Sequence, residues 1–232
     1  MTAKSASPVV ALVPMRHTSE RVPEKNYREI AGKPLYYHIM ETLKACSQVS
    51  KIVVDTDSPI IKRGLQEDFS DVIVIDRPNH LTGSMVPMND VLAHDLGMID
   101  GELFLQTHST NPLLRSETVS AAIEMFFENY PTFDSLFSVT RLQTRLWDED
   151  GRPVNHDPDI LLRTQDLPPV FEENSCLYIF EKKSFMRTKN RLGARPYMLE
   201  IGSEEALDID DETDFLIARY LLEQGSGIFP DG

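Results

Sequence analysis

A chain of 232 residues, 41% hydrophobic and 26% charged, suits one globular domain with room for an insertion. Its formal charge of −14, from 23 Lys and Arg against 37 Asp and Glu, opposes any non-specific hold on nucleic acid, which depends on neutralising phosphates. Two cysteines, Cys46 and Cys176, make no disulfide framework, and no apolar run reaches membrane-spanning length, so a cytoplasmic protein without a membrane partner is the expectation.

Residues 1–7 read as a frayed tail. Pro8 to Val13 is a short apolar run that breaks at Pro14, as a strand buried on both faces does. The polar loop after it carries Arg16, Ser19, Arg21, Lys25 and Asn26. Ala31 to Pro34 is expected to open a helix whose buried stripe is Leu35, Ile39, Leu43 and Cys46. Lys51 to Asp55 reads as a second strand. Ser58-Pro59 then starts a helix with a cap residue and a proline in its first turn. A strand at 71–76, a loop at 77–87, a helix at 88–97 and a strand at 102–106 follow. The turn THSTNP leads to a helix at 116–129 and a strand at 134–140. This alternation predicts an α/β domain, Rossmann-like, with a mainly parallel mixed sheet. The segment 141–173 lacks a periodic pattern and holds the only tryptophan, Trp147. Such a stretch in a compact domain is expected to be functional or to reach a partner subunit. A strand at 174–180, a short helix, a strand at 196–201 and a final helix at 211–223 complete the chain before a loose tail at 224–232.

Three polar clusters follow apolar strands: the Arg16 loop, the turn from Gln106 to Asn111, and the Asp208/Asp210 pair. Loops at the carboxyl ends of parallel strands are where open α/β sheets bind ligands, so the first two share one edge. Three cations gathered in an acidic chain point to a polyanion such as a nucleoside triphosphate; the bland alternative is a solvated charged loop. In Asp208-Ile209-Asp210 an extended backbone sends both carboxylates one way. They either hold a divalent ion, Mg²⁺ being the usual one beside phosphates, or cap the last helix. The six histidines have no zinc-ligand spacing, no glycine-rich phosphate loop occurs, and no nucleophile elbow is present, so neither a zinc centre nor covalent catalysis is expected.

The ordered set Arg16-x-x-Ser19-x-x-x-Pro23-x-Lys25-Asn26, Ala31-Gly32-Lys33-Pro34-Leu35, Thr56-Asp57, Arg77-Pro78, Thr110-Asn111-Pro112-Leu113, Leu167-Pro168, Asn174 and Asp208-Ile209-Asp210 resembles the acylneuraminate cytidylyltransferase family from about Val9 to Leu222. The resemblance implies the nucleotide-diphospho-sugar transferase fold and the transfer of CMP from CTP to an acidic 2-keto sugar with release of pyrophosphate. It implies that Arg16 and Lys25 hold the triphosphate, with Ser19 and Arg21 in the same loop. Asn26 and Arg77 would hold the cytidine, and Asp208 and Asp210 would bind Mg²⁺. Gln106, His108, Thr110, Asn111, Arg163, Gln165 and Asn174 would face the sugar. Arg141, Arg145 and Arg163 are the candidates for its carboxylate. Residues 141–173 would be a dimerisation and substrate arm on a single domain spanning 1–232, with Trp147 and Phe171 as its aromatic anchors.

The chain departs from the family pattern in the first loop, which reads HTSER where a glycine- and lysine-containing run is usual. Glu20 replaces a usual Lys, with Arg21 as the substitute charge. His108 aligns with a usual Gln, Gln165 is displaced by one, and Ser84 stands where an acid is often found. Two other functions fit the same fold: a glycosyltransferase using a nucleotide-sugar, and a nucleotide-binding relative without activity. Released pyrophosphate, released nucleoside diphosphate, or binding without turnover separates the three.

Overall fold

The structure, a computed structural model, describes residues 8–225. One seven-stranded sheet organises it. Its strands in chain order are β1 (Val9–Leu12), β4 (Val49–Thr56), β5 (Ile73–Asp76), β6 (Leu103–Thr107), β7 (Ser135–Leu142), β8 (Val170–Glu181) and β9 (Pro196–Glu200). The order across the sheet is β5-β4-β1-β6-β8-β7-β9. The pairs β5-β4, β4-β1, β1-β6 and β7-β9 run parallel, while β8 runs antiparallel to both its neighbours. The sheet is thus mixed and mainly parallel, as its alternation with helices requires.

The helices are α1 (Leu35–Ala45), α2 (Pro59–Asp68), α3 (Met88–Met98), α4 (Ser116–Asn129), α5 (Lys182–Thr188) and α6 (Glu212–Gln224). Every residue of β1 is buried, and its side chains alternate between two cores. Val9, Ala11 and Val13 pack on one sheet face with α1 and α4. Val10 and Leu12 pack on the other with α3 and α5. A strand covered on both faces has no place for a polar residue, which is why the run from Val9 to Val13 is uninterrupted. Both cysteines are buried and free.

Three elements differ from the sequence expectation. Ala31 to Pro34 does not open α1. It forms a hairpin between β2 (Glu29–Ile30) and β3 (Lys33–Pro34), with Ala31 at φ +49° and Gly32 at φ +81° in the turn. Two consecutive left-handed residues make the tight turn whose twist suits a hairpin, and Pro34 then caps α1. Pro14 does not end the pairing of β1 either: Val13 and Met15 donate to the carbonyls of Val53 and Asp55, both at 2.9 Å, and the missing proline N–H falls between them. The irregular segment is shorter than 141–173, because Arg141 and Leu142 pair with Phe171 and Val170. What projects from the sheet is 143–169, at the end of a long antiparallel ladder.

Candidate active site

The strand order reverses at β1, which runs parallel to both neighbours: β4 and β5 lie on one side of it and β6 on the other. Such a switch point opens a crevice at the carboxyl ends of the strands. A cleft of 510 Å³ occupies it, walled by the loop after β1, the loop after β5 and the turn after β6. Arg16, Ser19, Arg21, Lys25, Asn26, Arg77, His108 and Thr110 all line this cleft, so the structure brings together eight of the expected site residues.

Asn26 ties the two loops together. Its Nδ2 donates to the Arg16 carbonyl at 2.7 Å, and its Oδ1 accepts from the Ser109 hydroxyl at 2.8 Å. Ser109, absent from the expected set, is buried and acts through that bond. Lys25 Nζ donates to the Ile209 carbonyl at 2.5 Å and lies 4.0 Å from Asp210, while Arg21 pairs with Asp210 at 2.6 Å. Burial lowers the Lys25 pKa, opposed by the charges of Asp208 and Asp210. Arg16 makes no ion pair among the described residues, which leaves its guanidinium available to an anion. His17 points elsewhere. Its backbone N–H donates to Asp57 at 2.7 Å, its Nδ1 meets the Ser58 hydroxyl at 2.9 Å, and its ring stacks on Tyr27. The middle of the loop is therefore anchored to the start of α2, and His17 does not wall the cleft.

The helix cap reading of Asp208 and Asp210 gives way to a neighbour. Asp211 is the N-cap of α6: its side chain accepts from the N–H groups of Thr213 and Asp214, and Asp214 accepts from the Asp211 N–H in return. Ile209 is fully buried against Phe215, and the carboxylates on either side of it line one cavity of 550 Å³ with Asn174. Asp208 is the deeper of the two. Burial, reinforced by Asp210, raises its pKa, and its Oδ1 is buried with no hydrogen-bond partner. An orphaned carboxylate oxygen beside a second carboxylate fits an oxygen-seeking divalent ion.

The turn after β6 is ordered by a residue the sequence reading missed. Arg191 lies over the Tyr178 ring at 3.5 Å and donates to Gln106 Oε1 at 2.5 Å. A guanidinium can only donate, so the Gln106 amide must turn its nitrogen toward His108 Nε2, 2.9 Å away. His108 then accepts at Nε2 and carries its proton on Nδ1. Burial, with Arg191 and Lys25 adding repulsion, pushes its pKa down to about 3, so the imidazole is neutral. Gln106 is fully buried and orients His108 without reaching the cleft. Nothing in the spacing of Arg191 from the other site residues marks it in the sequence.

Asn111 is also fully buried; it donates to the Leu207 carbonyl at 3.3 Å and so fixes the segment leading to Asp208. Asn174 accepts from Ser138 at 2.6 Å and donates to Thr140 at 3.0 Å. The Arg77 guanidinium faces inward, where it is 2% exposed and paired with Asp55, so Arg77 meets the cleft as part of its wall and not as a free cation. Arg163 and Gln165 are exposed on the projecting segment and line neither cavity; Arg163 pairs with Asp166 at 2.6 Å. Arg141 pairs with Glu200 at 3.0 Å, and Arg145 donates to the Leu162 carbonyl. One further group, Asp55, His94 and Asp95, has the proximity a metal needs, but Arg77 already sits on Asp55.

A family model described as cytidylyltransferase matches residues 10–222. The chain belongs to the cytidylyltransferase family. It is 27% identical over 214 residues to the N-acylneuraminate cytidylyltransferase of Streptococcus agalactiae serotype V, covering 89% of this chain and 51% of that protein. It is 30% identical over 245 residues to the CMP-N,N'-diacetyllegionaminic acid synthase of Legionella pneumophila, covering 93% and 96%. The chain thus spans about half the length of the acylneuraminate relatives and nearly all of the legionaminic one. Among solved structures, CMP:2-keto-3-deoxy-manno-octonic acid synthetase complexed with CTP superposes with a TM-score of 0.70 at 15% identity, covering 94% and 99%. A 4-diphosphocytidyl-2C-methyl-D-erythritol synthase gives 0.68 at 16%, covering 93% and 98%. These cytidylyltransferases share the fold, which is that of nucleotide-sugar transferases. Among the described residues no helix is long and apolar enough to cross a membrane.

Proposed function

We propose that this cytidylyltransferase joins CMP from CTP to an acidic 2-keto sugar of the nonulosonic type and releases pyrophosphate. The observation that carries this reading is the cation cluster at the switch point. Arg16, Arg21 and Lys25 gather in one cleft of a chain with charge −14, and the Asp208/Asp210 cavity adjoins it through the Arg21–Asp210 pair.

In this mechanism the sugar's anomeric hydroxyl attacks the α-phosphorus. The new O–P bond forms as the bond from the α-phosphorus to the bridging oxygen of the leaving pyrophosphate breaks, and the hydroxyl proton passes to solvent water. Such transfers need positioning and charge neutralisation more than covalent help. Arg16 and Lys25, with Arg21, offset the charge that grows on the leaving pyrophosphate. Asn26 holds the loop carrying Arg16 against the turn carrying His108 and Thr110. Asp208 and Asp210 are the residues that would hold Mg²⁺, which supplies Lewis-acid polarisation of phosphate oxygens. Neutral His108 offers the sugar an uncharged hydrogen-bonding edge. Asn174, in the Asp208 cavity, faces the sugar.

The projecting segment fits a homodimer arm. It exposes Trp147 (53%), Ile160 (56%), Leu161 (87%) and, at its base, Phe171 (39%). Apolar groups concentrated on one projection are an interface signature. Arg163 and Gln165 on that arm line neither cavity of their own chain, which suits contact with the partner's sugar pocket.

Incubation with CTP, Mg²⁺ and a panel of nonulosonic acids should release pyrophosphate; no release with any acidic keto sugar would remove the reading. Arg16→Ala should lower turnover by about 10²-fold or more, on the scale of losing one charge-stabilising group. Asp208→Asn should raise the Mg²⁺ concentration needed for half-maximal rate. Unchanged kinetics in both variants would dissolve the site assignment.

A further inference from the structure

The loop after β5 supplies one wall of the cleft, through Leu81, Gly83 and Met85 among others. Both of its ends converge on one buried residue. Arg77, at its start, donates from Nε to Asp55 Oδ1 and from Nη2 to the Asp55 carbonyl at 3.2 Å. Asp95 comes from α3, the helix that ends the loop and whose Met88 and Val91 continue the same wall. Asp55 and Asp95 are each 1% exposed, and the Arg77 side chain 2%. Oxygen and nitrogen ligand atoms of Asp55, His94 and Asp95 lie within 4.8 Å of one another.

Asp55 Oδ2, Asp95 Oδ1 and His94 Nε2 are buried without a partner. Two buried carboxylates against one guanidinium leave an uncompensated negative charge, which a protein interior does not tolerate. One proton makes the Arg77–Asp55–Asp95 group neutral. It also gives Asp55 Oδ2 the donor it lacks. A divalent ion would instead leave a net positive charge beside the guanidinium. We propose that Asp95 is a neutral carboxylic acid whose hydroxyl donates to Asp55, and that this bond, with Arg77, clamps both ends of the cleft wall. The titratable and charged groups facing Asp95 are Asp55 from β4, Arg77 from the loop and His94 from its own helix. Burial and the adjacent Asp55 raise its pKa far above the usual carboxylate range, with Arg77 opposing. Asp95 is thus a positioning residue, acting on the nucleotide through Asp55 and Arg77. The binding half of this inference rests on the CTP reading above; the protonation half does not.

The test compares the full chain with Asp95→Asn and Asp95→Ala. Without any ligand, the infrared carbonyl band of a protonated carboxylic acid should be present in the wild type at neutral pH and missing from Asp95→Asn. Thermal stability of the wild type should fall as pH rises above the ordinary carboxylate range, because the native state holds a proton the unfolded chain releases, and Asp95→Asn should lack that fall. In calorimetry, Asp95→Ala should weaken CTP binding by about tenfold, the scale of one buried unsatisfied group. Asp95→Asn, whose amide still donates, should restore it. CTP affinity of the wild type should decline toward alkaline pH, with kcat at saturating CTP changing less than KM. No acid band, or an Asn variant as weak as the Ala variant, overturns the proposal; so does Zn²⁺ or Mn²⁺ bound by the wild type and lost in Asp95→Asn. If the band and the stability slope appear but no form binds CTP, the functional reading fails while the acid at Asp95 stands.

Discussion

Burial, with the charges of Arg191 and Lys25 adding to it, holds the His108 pKa near 3. An NMR titration should therefore show no protonation of His108 between about pH 5 and 8, where an ordinary histidine titrates. Removing Arg191 deletes one depressing charge, so Arg191→Ala should raise the His108 pKa. The sign for stability follows from the same shift. The native state binds fewer protons than the unfolded chain between the ordinary value of 6.5 and about 3, so stability is lost as pH falls through that window. Arg77 sits in a different balance. Its pair with Asp55 is buried on both sides, and cutting it leaves the Asp55 carboxylate buried without a counter-charge. Arg77→Ala should cost about 3–5 kcal/mol of folding stability in denaturant melts, well beyond any loss of nucleotide contact.

At the scale of elements, the cap of α2 was readable, whereas the cap of α6 and the hairpin were not. Ser58 caps α2 by accepting from the Ile61 N–H at 3.3 Å, with Pro59 in the first turn, as its sequence indicates. Asp211 and Asp214 close a capping box on α6, and Asp211→Ala should lower the melting temperature while leaving the proposed Mg²⁺ dependence unchanged, since Asp208 and Asp210 stay in place. Sequence spacing did not single out Asp211, because Asp208 and Asp210 just before it carry the same capping chemistry. Burial of Ile209 decides it by setting the phase of the chain. The hairpin at Ala31-Gly32 was hidden because the run from Leu35 is strongly helical and only backbone dihedrals separate a turn from a helix start. Strand ends at β7 and β8 were likewise extended by mutual pairing, a non-local effect that no local pattern carries.

On the scale of the whole molecule, the exposed apolar arm supports the proposed homodimer. Sedimentation at micromolar concentration should show a dimer, and Leu161→Asp, which places a charge on the most exposed of the arm's large apolar residues, should shift it toward monomer without unfolding the sheet. A monomeric wild type would end that proposal. Taken by itself, the sequence determined the elements whose cause is local: a buried first strand, amphipathic helices, the capped start of α2, and polar loops placed after strands. It therefore determined the α/β class and named eight of the residues that line the cleft. Tertiary structure alone decided which polar groups face the cleft and which turn inward. Gln106 and Arg77 carry the same chemistry in either role, and it is a distant partner, Arg191 for one and Asp55 for the other, that consumes it. Such pairings join residues far apart in the chain, and their energies come from burial, which spacing does not encode.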